Sequence, residues 1–278
     1  MPELPEVETV RQTLRNFVLN RRIESIELKW PAIIEGDKEA FVHALCTKTI
    51  LEIDRKGKYL IFILDDVAFV SHLRMEGKYL YEPRDTPLEK HSHVIFHLDN
   101  NMDLRYHDVR KFGRMSLTDK QFYRQLPPLN QLGKEPFDLT ADELHGLFRN
   151  CHLPIKAALL DQSKIAGLGN IYANEVLYRA GIHPLSPACD LSKRRVQTII
   201  NMACDVLEEA IRQGGTTIRS FSSNGIHGLF SQQLDVHGRD GQICHRCGYH
   251  IIKRKINTRT AYYCPKCQKI IRRRRQIS

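Results

Sequence analysis

The sequence predicts a multidomain α+β protein: an N-terminal helix on a β-sandwich or barrel, a helical second domain, and a short β-hairpin pinned by metal. Three observations carry that reading. Apolar residues recur at helical spacing over residues 5–18 and are followed by about a hundred residues of short β-branched and aromatic runs. The period turns helical again after Gly133, and four of the eight cysteines stand in two paired knuckles near the C-terminus. A chain of 278 residues suits about two domains and an appendage. Its 42% hydrophobic content is enough for real cores and excludes a largely disordered chain.

The first helix follows from Val7, Val10, Leu14 and Phe17, spaced by three, four and three. Pro5 suits its first turn, and Glu6 and Glu8 suit its positive end. Strands are expected at Ile23–Trp30, Thr49–Ile53, Tyr59–Leu64, Val67–His72, Val94–Leu98 and Leu104–Tyr106, with turn-like breaks at Asp65-Asp66 and Asp99-Asn100-Asn101. So many short strands in so little chain point to a sandwich or barrel. Pro127-Pro128 and Gly133 mark a linker. Beyond it, Thr140 and Glu143 form a capping box that opens a helix through Asn150. Helical patterns follow at Ile155–Gln162, Asn170–Ala180 and Ser192–Gln213, the last with Val196, Ile199, Ile200, Ala203, Leu207 and Ala210 on one face. Gly214–Gly241 has no clear period and reads as a long loop, a feature usually functional or disordered in a compact domain. The expected domains are 1–130, an N-terminal β-domain; 131–240, helical, with a loop at about 216–232; and 241–278, the finger.

Cysteine usage and charge both single out the C-terminus. Cys46, Cys151, Cys189 and Cys204 are scattered and read as small apolar residues. Cys244-His-Arg-Cys247 and Cys264-Pro-Lys-Cys267 are two C-x-x-C knuckles separated by sixteen residues, the spacing that gathers four thiolates around one Zn²⁺. Disulfides or a redox pair are the weaker alternatives. A closed four-cysteine site leaves no position for a catalytic water, so the single Zn²⁺ is structural. Ile251, Ile252, Ile256 and Tyr262-Tyr263 between the knuckles suggest two short strands. The formal charge is +10, yet from Cys244 onward there are eleven basic and no acidic residues, which leaves 31 basic against 32 acidic residues in the rest. A field concentrated in this way favours a polyanion such as nucleic acid. No apolar run is long enough to span a bilayer, and the acidic start lacks the basic and apolar regions of a secretory signal. The expectation is a cytoplasmic, soluble protein.

The sharpest chemical hypothesis lies at the N-terminus. Removal of Met1 exposes Pro2 as a secondary amine with Glu3 beside it. An α-amine titrates near pH 8, and the following helix N-terminus lowers that, so part of it is an unprotonated nucleophile at neutral pH. Attack on a sugar anomeric carbon gives an iminium ion, an electron sink that eases loss of a neighbouring proton and then of a phosphate. Pro and Glu also serve as ordinary helix lead-in, so other features must decide.

Those features are Pro2-Glu3-Leu4-Pro5-Glu6-Val7-Glu8-Thr9, Lys56-Gly57-Lys58-Tyr59-Leu60, His72-Leu73-Arg74-Met75-Glu76-Gly77, Asp108-Val109-Arg110-Lys111-Phe112-Gly113, Ala166-Gly167-Leu168-Gly169-Asn170-Ile171-Tyr172 and the four-cysteine finger. Together, and in order from end to end, they resemble the bacterial formamidopyrimidine-DNA glycosylase family. The resemblance implies a catalytic β-sandwich domain at 1–130, a lesion-recognition loop at about 216–232, and a bifunctional glycosylase and abasic-site lyase of base excision repair. It would remove 8-oxoguanine and formamidopyrimidines from duplex DNA as a monomer, with zinc in the finger and no redox or nucleotide cofactor. By matching position, Pro2 is the nucleophile, Glu3 the general acid, Lys58 the ammonium that assists β-elimination, and Arg259 the finger arginine that grips phosphate and acts in δ-elimination. Met75, Arg110 and Phe112 match the trio that fills the hole left by a flipped nucleotide. Asn170 belongs to a helix-two-turn-helix whose amides grip phosphates. Lys156, His91 and His152 complete the expected DNA contacts. Departures from the family pattern are Thr260-Ala261 after Arg259, Cys151-His152 where relatives tend to be basic, and a short 222–230 loop lacking a common lysine.

Overall fold

The computed structural model describes residues 1–216 and 233–272. All but the first residue of the loop expected at about 216–232, and the basic tail from Arg273, lie outside the described residues. Two compact units emerge: Met1–Gln131 with residues 213–216, and Leu132–Arg212 with residues 233–272.

The first unit opens with helix α1, Leu4–Val18, which buries Val7, Val10, Leu14 and Val18 completely. Each is worth about 1.5–3 kcal/mol relative to leaving it in water. The strands are β1 (Ile23–Leu28), β2 (Ile34–Glu35), β3 (Glu52–Lys56), β4 (Tyr59–Ile63), β5 (Val67–His72), β6 (Lys78–Pro83), β7 (Ser92–Leu98), β8 (Met102–His107) and β9 (Arg114–Asp119). They form a four-stranded sheet in the order β1-β7-β8-β6 and a five-stranded sheet in the order β2-β9-β5-β4-β3. One core joins both sheets to α1. Phe69 of β5 stacks on Phe62 of β4 at 4.5 Å and on Phe96 of β7 at 5.6 Å, so aromatic rings bridge the layers. The architecture is a sandwich; the barrel alternative fails because no strand joins the two sheets.

Helix α2, Lys38–Leu45, was not expected: only Phe41 and Leu45 are buried, too few to set a period, and its clearest signal is the cap, Asp37 accepting from the N–H of Glu39 and Ala40 at 2.9 and 3.0 Å. β2, β6 and β9 were also missed: β2 has two residues, and in β6 and β9 charged residues toward the ends, Lys78 and Glu82 in one and Arg114 and Asp119 in the other, leave only short runs. Pro83 closes β6, which is tolerable on an edge strand. The strand expected at Thr49–Ile53 is displaced to Glu52–Lys56, with Thr49 in an isolated bridge to Arg22.

The second unit carries α3 (Ala141–Phe148), α4 (Ile155–Leu160), α5 (Asn170–Arg179) and α6 (Lys193–Arg212). Thr140 and Glu143 make the expected capping box, while α3 and α4 stop two residues before their expected ends. The buried face of α6 contains all six expected residues and Val206. Strands β10 (Ile252–Ile256) and β11 (Arg259–Tyr263) form the antiparallel hairpin of the finger. Among the described residues no helix is long and apolar enough to cross a membrane.

Candidate active site

Pro2 and Glu3 are buried at the head of α1. The Glu3 N–H donates to Glu6 Oε2 at 2.8 Å, and the two residues form a capping box. The other oxygen, Glu6 Oε1, accepts from the Thr216 N–H at 2.9 Å and its hydroxyl at 3.1 Å. One buried carboxylate thus fixes the chain start and residue 216. A second buried carboxylate, Glu8, ties α1 to the sheet: it accepts from Arg11, Gln12 and, at 2.9 Å, Arg55 Nε. Burial by itself raises the Glu8 pKa, but the hydrogen bonds from Arg11, Arg55 and Gln12 outweigh it and hold the group below the usual carboxylate range.

Lys58 sits in the two-residue turn between β3 and β4, where Gly57 takes φ +58°. Arg55 Nη1 donates to the Gly57 carbonyl at 3.0 Å, so the guanidinium that holds Glu8 also braces this turn. Lys58 is 5% exposed, which rules out a solvated strand charge. Its ammonium is felt next door: burial, then the charges of Arg74 and Lys58, push His72 down to about 3, so that imidazole stays neutral. Sequence reasoning gave Glu8 only a place at the positive end of α1 and did not name Arg55; a buried Glu facing an Arg of β3 is visible only after folding.

Met75 lies half-buried in the turn between β5 and β6, where Arg74 takes φ +55° and its N–H donates to His72 Nδ1 at 2.9 Å. Arg110 and Phe112 are exposed on the loop between β8 and β9, and the Arg110 guanidinium lies 4.7 Å from the Phe112 ring centre. A Phe 46% exposed beside a cation is not a core residue. The loop is built from beneath by Asp108, fully buried, whose carboxylate accepts from the N–H of Arg110, Phe112 and Gly113 at 2.8–3.0 Å. Under it lies the Tyr106 hydroxyl, against which a Cβ on Gly113 or Gly77 would sit at 1.7 or 2.1 Å. Both glycines are required for packing. His91 is half-buried, its ring 5.7 Å from that of His107.

In the second unit, Asn170 is the first residue of α5, after the N-cap Gly169. Its Oδ1 is buried with no hydrogen-bond partner among the described residues. The preceding turn is held by Gln162, which accepts from the Gly167 N–H at 3.0 Å and donates to the Leu168 carbonyl at 2.8 Å. Lys156 is 1% exposed, and its ammonium donates to the Thr260 carbonyl of β11. That contact braces the hairpin next to Arg259. Arg259 is exposed and opens β11 directly after the Asn257-Thr258 turn, in which Asn257 takes φ +52°. His152 is exposed, with Nδ1 3.4 Å from Cys189 Sγ.

The four knuckle cysteines converge, with every pair of sulfurs within 4.8 Å. Cys247 and Cys264 are 3.5 Å apart and Cys244 and Cys267 3.9 Å. A tetrahedron with Zn–S of about 2.3 Å requires sulfurs about 3.8 Å apart, whereas a disulfide requires about 2 Å. The residues fit a metal and not two disulfides. Tyr178 of α5 donates to or accepts from Cys244 Sγ at 3.3 Å, Arg246 donates to the Tyr178 carbonyl at 3.0 Å, and its guanidinium stacks over the ring at 4.4 Å. A small core of Tyr178, Val236, Cys244, Ile251 and Cys264 seats the finger on α5. Glu175, fully buried, accepts from the N–H of Asp235, Val236 and His237 at 2.8–3.1 Å and so holds the approach to the finger; burial raises its pKa.

Three family models match in sequence order: the formamidopyrimidine-DNA glycosylase N-terminal domain at residues 1–115, its H2TH domain at 132–222, and a zinc finger found in FPG and IleRS at 241–270. A formamidopyrimidine-DNA glycosylase of Oceanobacillus iheyensis is 45% identical over 275 residues, covering 96% of this chain and 98% of that protein. The chain belongs to the formamidopyrimidine-DNA glycosylase family. A second relative, from an Exiguobacterium species, is 47% identical over 274 residues, covering 96% of this chain and 99% of its own length. Among solved structures, a Lactococcus lactis Fpg mutant in complex with Fapy-dG-containing DNA matches with TM-score 0.92 at 39% identity, over 96% of this chain and all of that one. The Lactococcus lactis Fpg with abasic-site DNA matches at 0.90 and 38%, with the same coverage. In formamidopyrimidine-DNA glycosylase terms, the α+β fold, the H2TH domain and the four-cysteine finger are all present.

Proposed function

We propose that the protein is a bifunctional glycosylase and abasic-site lyase that excises oxidised purines from duplex DNA, 8-oxoguanine opposite cytosine and formamidopyrimidines, through Pro2. The observation that carries this reading is the head of α1: a proline poised to become a terminal secondary amine, capped by Glu3 and Glu6 and tied through Glu8 and Arg55 to the turn that holds a buried Lys58. With Met1 removed, the Pro2 nitrogen attacks C1′ of the extruded nucleotide and the damaged base leaves. The Pro2 nitrogen gives up its proton, its lone pair forms the C1′=N⁺ bond of the iminium ion as the C1′–O4′ bond breaks, and Glu3 protonates O4′, which stays on the opened sugar as the 4′-hydroxyl. Loss of a C2′ proton to a base expels the 3′ phosphate, and a second elimination expels the 5′ phosphate, with Lys58 and Arg259 neutralising the departing anions.

Met75, Arg110 and Phe112 fill the emptied stack, the guanidinium reading the orphaned cytosine. Asn170, Arg259, His91, Lys156 and His152 supply phosphate-side contacts or bracing for them. Cys244, Cys247, Cys264 and Cys267 hold one Zn²⁺, which cross-links the finger and takes no part in the reaction.

Borohydride reduces the iminium to a stable amine and so traps the intermediate. Wild type is expected to yield a covalent adduct with an 8-oxoguanine duplex, and Pro2→Gly and Glu3→Gln to lose it. No adduct with wild type overturns the imine mechanism. Preference for thymine glycol over 8-oxoguanine would assign the protein to oxidised pyrimidines instead, and an intact mass retaining Met1 would leave no Pro2 amine.

A further inference from the structure

The loop that presents Arg110 and Phe112 contains a residue whose conformation the proposed function does not explain. Lys111 takes φ +58°, a region that a lysine enters at a cost and that glycine or asparagine enters more easily. Its ammonium lies 3.7 Å from the ring centre of Trp30, the one tryptophan in the chain. Trp30 follows β1 and is 38% exposed, too open to be explained as core.

The two residues belong to a closed ring of contacts. The Trp30 N–H donates to the His93 carbonyl at 3.2 Å. His93 Nε2 donates to the Asp108 carbonyl at 2.8 Å, and since a carbonyl only accepts, that nitrogen carries the proton. The Lys111 N–H donates to the same carbonyl at 3.2 Å, and the Lys111 ammonium returns to Trp30. Asp108 is also the residue whose carboxylate fixes Arg110, Phe112 and Gly113. The ring therefore has its rigid side in the sheet, at His93 of β7, and its exposed side between the two proposed void-filling residues.

We propose that Trp30 is a positioning residue for the Arg110–Phe112 wedge: its indole face clamps the Lys111 ammonium, offsets the cost of the left-handed backbone at Lys111, and so holds both neighbours in the presented orientation. Neither Trp30 nor Lys111 touches the reacting atoms. This rests on the wedge role given to Arg110 and Phe112 above. A cation over an indole is among the stronger non-covalent contacts of an exposed side chain, and its loss lets the loop exchange conformations before DNA arrives.

The test compares wild type, Trp30→Ala, Trp30→Phe, Lys111→Met, Lys111→Arg and the double variant Trp30→Ala/Lys111→Met. Two substrates separate wedge from chemistry: an 8-oxoguanine duplex with cytosine or adenine opposite, and a single-stranded abasic oligonucleotide, which has no orphan base and no stack to fill. Trp30→Ala and Lys111→Met are each expected to slow excision about two- to fivefold and to narrow the cytosine-over-adenine preference, with borohydride trapping on the single strand unchanged. Trp30→Phe and Lys111→Arg restore most of the loss, because each keeps a ring face or a cation. The double variant is no worse than either single, since one contact is removed once. Wild-type excision and preference in Trp30→Ala, additive losses in the double, or a parallel fall in single-strand trapping would each overturn the clamp. Wild type failing both assays would refute the proposed function instead.

Discussion

Replacing Gly113 with alanine tests whether the loop between β8 and β9 is a built platform or a loose connection. The backbone there is not left-handed, so any effect must come from packing. A Cβ would stand 1.7 Å from Tyr106 Oη, 2.6 Å from Cζ and 3.0 Å from Cε1, where ordinary contact begins at 3.4 Å. Tyr106 has nowhere to retreat: its ring is fully buried, 5.3 Å from Tyr79, and Gly77 closes on the same hydroxyl. Overpacking of this kind costs about 1–3 kcal/mol. If the loop lifts instead, the Gly113 N–H gives up its 2.8 Å bond to the Asp108 carboxylate, worth about 1.5–3 kcal/mol. Either route gives about 2–3 kcal/mol, a fall in the unfolding midpoint of roughly 10 °C, read by circular dichroism, together with slower 8-oxoguanine excision. Tyr106→Phe provides the control. The hydroxyl is buried without a partner, so its removal should be neutral or slightly stabilising. In the double variant it should recover only part of the loss, because Cζ remains at 2.6 Å. An unchanged midpoint in Gly113→Ala, or a Tyr106→Phe variant as unstable as Gly113→Ala, would refute the reasoning.

Two further outcomes follow from the site. Cys247→Ser should lose bound zinc, measured by atomic absorption, and most duplex affinity, while the far-ultraviolet and thermal signature of the β-sandwich persists; binding that survives zinc loss would show the finger is not the anchor. Stability should fall with acid in a window set by His72, whose folded pKa of about 3 lies below the unfolded value of 6.5. Only the unfolded chain takes up that proton between those limits, so the contribution is complete above pH 6.5 and is lost as pH falls toward 3, at about 1.4 kcal/mol per unit, or about 2 kcal/mol by pH 5. The unfolding free energy of His72→Asn should be flatter by that amount over the same range; parallel curves would contradict it.

Much of this molecule could be read from its residues, and the exceptions share a cause. Helix α1, the buried stripe of α6 and the finger hairpin carry strong local patterns, and the structure keeps them. The cysteine knuckles were legible because metal ligation demands a fixed spacing whatever surrounds it. What escaped were features set by tertiary partners. The burial of Lys58 is one: its local pattern is that of a solvated strand charge, only the family resemblance singled it out, and its enclosure comes from the turn braced by Arg55. Lys156 looks like a phosphate ligand, yet its ammonium is spent on the Thr260 carbonyl, a partner 104 residues away. Asp108 and Glu175 each cap three backbone amides from inside the fold, and no local pattern distinguishes such a carboxylate from a solvated one. Helix α2 is too short and too polar for its period to speak.

The shared carboxylate of Glu6 has a consequence for how the protein is made. Its bond to the Glu3 N–H spans three residues and can close as soon as α1 leaves the ribosome, while its bonds to Thr216 span 210 residues. At about 5–20 residues per second, that second half arrives roughly 10–40 s later. During that interval the head of α1 lacks the bonds that Thr216 brings, so the setting of Pro2 and Glu3 is completed only after residue 216 has been made.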